Sequence, residues 1–124
     1  MKSAVNLQAQ SVAEITFQSA SLDIWSTKYR LCAKDGSVID ENIDDTYKRV
    51  ARALADVEVE SLRDECYQQF LWALRSGAIP AGRIISNAGA QEHKPATSTI
   101  NCTVSGTVAD SMDNILNKVH EAGL

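Results

Sequence analysis

From Ile43 onward, apolar side chains recur at steps of four, three, four and three: Ile43, Tyr47, Val50, Leu54 and Val57. That spacing follows one face of a helix, so "IDDTYKRVARALADVE" is predicted to be amphipathic and helical, with Asp44, Asp45, Lys48, Arg49 and Arg52 turned to solvent. A second helix is predicted over "VESLRDECYQQFLWALRSG". There Leu62, Cys66, Phe70 and Leu74 or Ala73 form the stripe, Ser61 or its neighbours cap the start, and Gly77 stops it. Upstream, Trp25 and Tyr29 lie four apart in "SLDIWSTKYRL", close to Leu22, which places both rings on one face of a short helix. Asp35-Gly36 in "KDGSVID" is a turn signal for a small hairpin or loop. The segment 1–20 shows no sustained period and is expected to be a loose lead-in.

Beyond Gly77 the pattern changes. Pro80, Gly82, Gly89 and Pro95 interrupt any helical period, so 78–98 should be extended chain with tight turns, with Ile84-Ile85 beginning a strand and "NAGAQEHKPA" forming a loop. In "STINCTVSG", Ile100, Cys102 and Val104 alternate with Thr99, Asn101 and Thr103, the period of a strand with unlike faces. "ADSMDNILNKVHEAGL" then predicts a final helix. Asp110 or Ser111 is its cap, Asp113 is acidic in the first turn, and Met112, Ile115, Leu116 and Val119 face inward.

At 124 residues the chain has the length of one domain or part of one. A net charge of −4 with 12 scattered Lys and Arg argues against a nucleic-acid surface, because phosphate neutralisation needs clustered cations. No stretch approaches the roughly 18 to 20 apolar residues of a membrane span, and the N-terminus lacks a signal-peptide core, so a cytoplasmic protein is expected. Cys32, Cys66 and Cys102 are odd in number and widely spaced, which suits reduced thiols better than a disulfide framework or a zinc site.

Candidate chemistry is sparse. His93 and His120 each lack a second ligand at metal-binding spacing, and the glycines of "AGRIISNAG" fit neither the phosphate loop nor the dinucleotide fingerprint. Thr97, Ser98 and Thr99 form a hydroxyl cluster that either edges a strand or holds phosphate. Cys102 has no basic neighbour in sequence to lower its pKa, so alternation alone favours a packed thiol over a reagent.

The order of segments adds what these residues do not carry alone. "SGAIPAGRIISNAGAQEHKPATSTINCTVSGTVADSMDNI" resembles the N-terminal edge of the catalytic region of ribonucleotide reductases, most closely the adenosylcobalamin-dependent class (class II). The resemblance runs through I-P-x-G-R-I, an N-A-G turn, T-x-N-C-x-V-S and D-S-M-x-x-I, and "DIWSTKYRL" with "DDTYKRVARALADVE" look like the family's preceding helical segment. It spans roughly residues 17–124.

That resemblance implies an α+β fragment: a helical N-terminal domain over 21–77, then, over 78–124, the first strand or strands of a ten-stranded α/β barrel. It implies an oxidoreductase of the ribonucleoside-diphosphate reductase type that makes DNA precursors. Cys102 would be one of two redox thiols that reduce the ribose 2′ position, and Asn101 its neighbour at the substrate edge. The implied cofactor is adenosylcobalamin. The implied partners are the ribonucleotide substrate, the C-terminal polypeptide completing the barrel and an external dithiol such as thioredoxin. The second thiol, the radical cysteine and the proton-moving residues have no match up to Leu124, so a split or interrupted reductase, inactive by itself, is expected. A truncated remnant or a non-catalytic helical interaction module is the alternative.

Overall fold

The computed structural model describes residues 15–95, 97–100 and 102–123. Helix α1 (Ser19–Ile24) runs directly into a π-helical turn, Trp25–Tyr29, closed by the Arg30 N–H on the Trp25 carbonyl at 2.8 Å. Helix α2 (Ile43–Ala55) and α3 (Arg63–Arg75) follow, the latter preceded by a 3-10 turn at Glu60–Leu62; α4 spans Gly82–Asn87 and α5 Met112–Gly123. Most of the lead-in predicted for 1–20 lies outside the described residues. Its last part does have a role, since Phe17 lines an apolar cavity together with Trp25 and Tyr29.

Local signals set the helix starts. Asn42 caps α2 by accepting the Asp45 N–H at 3.0 Å, while the Asp45 carboxylate accepts the Glu41 N–H at 3.1 Å, so two orphan donors are satisfied reciprocally. Ser111 caps α5 through the Asn114 N–H at 3.2 Å, as expected. Ser61 does not cap α3: it lies within the 3-10 turn, and Leu62 stands at the cap position with no side-chain bond.

The core lies between α2 and α3. Val50, Ala51, Leu71 and Leu74 are buried together with Ala88, flanked by Tyr47, Ala53, Tyr67, Phe70 and Ile84. The α3 stripe is therefore rotated from the expected one: Phe70 and Leu74 belong to it, whereas Leu62 is exposed and Cys66 half-buried. On α2, Leu54 faces solvent, as does Val57 just beyond the helix end, while Thr46, Val50, Ala51 and Ala55 point inward.

The expected α+β architecture is not found. The described residues contain no strand, only one antiparallel bridge between Cys32 and Val38 at the Asp35-Gly36 turn. The stretch predicted as the first barrel strand, around Ile100 to Val104, has no ladder partner among the described residues, and Ile100 and Val104 on its apolar side are exposed, Val104 fully. A period of two distinguishes two faces of a chain but does not supply the neighbouring strand that would make it a sheet. Ile84 and Ile85 are helical because Ala81 stands at the cap position of α4, its carbonyl accepting both of their N–H groups. Their β-branched preference is overridden by tertiary context, Ile84 packing against the core and Ile85 lining the apolar cavity with Trp25 and Tyr29 of the π-helical turn. None of the helices is long and apolar enough to cross a membrane, among the described residues.

Candidate functional site

The polar centre of the molecule is built on Asp40. The Asp35-Gly36 turn folds the chain back so that the Ile39 and Asp40 N–H groups both reach the Leu31 carbonyl, which leaves the Asp40 carboxylate inside. There it accepts from the Leu31 N–H at 3.1 Å, the Thr46 hydroxyl at 2.8 Å and the Arg49 guanidinium at 2.8 Å. Thr46 is in turn the acceptor for the Trp25 indole N–H at 2.9 Å, so one hydroxyl uses both its donor and an acceptor site. Burial raises the carboxyl pKa of Asp40, but the bonds from Arg49 and Thr46, the Arg49 charge and the Leu31 N–H outweigh it and hold the group below its ordinary value.

Arg49 carries this centre outward. Its Nη1 donates to the Ala88 carbonyl at 2.7 Å and its Nη2 to the Ile85 carbonyl at 3.0 Å, which are backbone acceptors at and just beyond the C-terminal end of α4. A helix end needs such donors for its unsatisfied carbonyls. The rigid guanidinium fork thus fixes α4 to α2 and to Asp40 at once.

From α4 the connection continues to the segment that leads to Cys102. Asn87 Nδ2 donates to the Ser98 carbonyl at 2.8 Å, and Arg83 Nη1 to the Ile100 carbonyl at 3.1 Å. Lys94 closes the intervening loop by donating to the Ser86 carbonyl at 2.8 Å and hydroxyl at 3.0 Å. Burial and the nearby Arg49 charge push its ammonium below the usual lysine pKa, against the opposing pull of Asp40.

The family model for the ribonucleotide reductase all-alpha domain matches residues 15–93. The chain belongs to that family. No curated protein and no solved structure matches it. The matched residues of this reductase domain take in α1 to α4 together with the Asp40–Arg49 centre, and the match ends at the loop that Lys94 closes.

Of the residues expected to act, Cys102 is exposed and follows the held segment by two positions, while Asn101 lies outside the described residues. Cys32 and Cys66 belong to the bridge beside the turn and to α3. Ser98 uses its hydroxyl locally, accepting the Ile100 N–H at 3.1 Å. His93 lies in the turn after Ala90, and His120 in the last turn of α5. The described residues hold no group of three or more His, Cys, Asp or Glu placed for a metal.

The apolar cavity among the described residues does not fit a cobalamin. It measures about 280 Å³ and opens beside Trp25, Tyr29, Tyr47 and Pro80, but it is almost wholly apolar and far smaller than a corrin ring with its amide side chains. What the sequence missed is the Asp40–Arg49 pair, since Arg49 was placed on the solvent face. The available signal was faint: a carboxylate directly after the apolar pair Val38-Ile39, and an arginine three residues after Thr46 and next to Val50.

Proposed function

We propose that this chain forms the helical platform of an adenosylcobalamin-dependent ribonucleotide reductase and presents Cys102 as one of the two thiols that reduce the ribose. The observation that carries the reading is the continuity from the matched helical domain through the Arg49-bound α4 to the backbone of residues 98–100, just before Cys102. The T-x-N-C-x-V-S resemblance around Cys102 supplies the chemistry. After a thiyl radical elsewhere removes the 3′ hydrogen, the 2′ hydroxyl leaves as water. The thiol pair gives up two electrons and two protons and closes to a disulfide, and the 3′ hydrogen returns. An external dithiol, of the thioredoxin kind, then reopens the disulfide by exchange.

The second thiol, the radical cysteine and the surfaces for adenosylcobalamin are assigned to the remainder of the reductase. Asn101 is assigned to the substrate edge by its place beside Cys102 in the motif. Combining the chain with the rest of the catalytic barrel should give ribonucleotide reduction that requires adenosylcobalamin and a dithiol, and Cys102→Ala should abolish dithiol-supported turnover. Undiminished turnover by the Cys102→Ala complex would remove Cys102 from the mechanism, and turnover without adenosylcobalamin would remove the cofactor assignment.

A further inference from the structure

We infer that Arg83, Asn87 and Lys94 form a clamp that sets the position of Cys102 by gripping the backbone of residues 98 and 100, so that α4 takes the place a neighbouring strand would have. In an extended chain, carbonyls two residues apart point to the same side. Here the carbonyls of Ser98 and Ile100 are both taken from one side, by Asn87 at 2.8 Å and Arg83 at 3.1 Å. These are the bonds a sheet partner would otherwise make, and side chains of a six-residue helix make them instead. Two residues of chain span at most about 7 Å, so fixing Ile100 confines Cys102 to a small region.

Lys94 acts through Asn87. Its ammonium can only donate, and it sits 3.4 Å from Asn87 Oδ1, so the amide must present that oxygen to Lys94 and its Nδ2 to Ser98. The clamp is anchored in turn by Arg49 on the Ile85 and Ala88 carbonyls, on either side of Asn87. Arg83, Asn87 and Lys94 are therefore positioning residues, and their importance for reduction rests on the role proposed above for Cys102.

A nitroxide attached to Cys102 in the full chain, with Cys32→Ser and Cys66→Ala, reads the clamp directly. Arg83→Gln and Asn87→Ala should each raise the ratio of the mobile to the immobile spectral component about tenfold, the effect of losing one hydrogen bond of this kind. Lys94→Met should act in the same direction as Asn87→Ala, and Arg83→Lys should restore part of the immobile component. Arg83 is exposed and Asn87 ends its helix, so the unfolding midpoint should stay near that of the parent chain. An unchanged line shape in the Arg83→Gln, Asn87→Ala double variant would overturn the clamp. In the reconstituted enzyme, Arg83→Gln should lower kcat with KM unchanged. The spectral readout is independent of whether Cys102 is redox-active, and Cys102→Ala turnover is independent of the clamp, so the two proposals fail separately.

Discussion

Arg49 and Asp40 meet inside the molecule, Nη2 to Oδ2 at 2.8 Å, with side chains 9% and 3% exposed. A buried pair of this kind does not automatically stabilise, because desolvating both charges costs about as much as their attraction returns. What distinguishes it is the number of further bonds: Asp40 also binds Leu31 and Thr46, and Arg49 also binds two carbonyls of the α4 region. Three segments distant in sequence are thereby held in one arrangement.

Removing one partner should therefore be severe. Arg49→Met leaves the Asp40 carboxylate buried without its counter-charge and should lower unfolding free energy by about 3 kcal/mol or more, measured by urea titration. Arg49→Lys should recover little of this, since a single ammonium cannot reach Asp40, Ile85 and Ala88 together. A lysine variant as stable as the parent chain would show that charge alone, and not the fork, matters here.

Acid should act through carboxylates held by arginine. Hydrogen bonds from Arg75 lower the Asp44 pKa to about 2 against the opposing effect of burial, with Lys48 adding to the shift. The folded pKa lies below the ordinary value of 3.8, so the contribution is complete above 3.8 and is lost as pH falls towards about 2. Both Arg75 and Asp44 are more than a third exposed, so solvent screening limits the effect to below about 1 kcal/mol. Asp44→Asn should show a small loss of stability at neutral pH and a shallower decline on acidification, read from urea midpoints across that range.

Gly89 offers a backbone test. It has φ +71° and a Cβ there would lie 2.9 Å from Arg49 Cγ and 3.2 Å from the Arg49 carbonyl oxygen, whereas Gly36, at φ +86°, opens on empty space. Gly36→Ala should cost about 1 to 2 kcal/mol for the left-handed conformation alone. Gly89→Ala should cost more, because the new methyl group also displaces Arg49 from its carbonyls. Equal thermal shifts for the two variants would mean that α4 moves away without penalty.

Helices α2 and α5 were legible because each carries a local signal, the apolar period of α2 and Ser111 before α5, whereas α4 was hidden by the prolines and glycines around it and by the β-branched pair Ile84-Ile85. The facing of α2 was less so, since Arg49 is inward only because Asp40 and the α4 carbonyls stand there to receive it, a relation across three segments that periodicity cannot express. The strand predicted near Cys102 failed for the same reason. Ile100, Cys102 and Val104 alternate correctly, but a strand is defined by its neighbour, and the described chain provides side chains of α4 in that place. Cys102 itself was legible only through the order of motifs, and the side-chain contacts to Ser98 and Ile100 just before it were not.

Helix α5 should be the least protected of the longer helices. Its 12 residues include none that is buried, and Met112, Leu116 and Val119 are 70%, 60% and 65% exposed along one face. A helix shorter than about 12 to 15 residues is marginal in water without tertiary packing. Amide exchange in α5 should therefore proceed through local opening of little cost, whereas amides at Val50, Ala51 and Ala55 in α2 await opening of the core and should exchange at least about a thousandfold more slowly. Comparable protection in the two helices would show that the apolar face of α5 is covered in solution. Sedimentation at several concentrations would then distinguish self-association, which grows with concentration, from cover supplied within one chain.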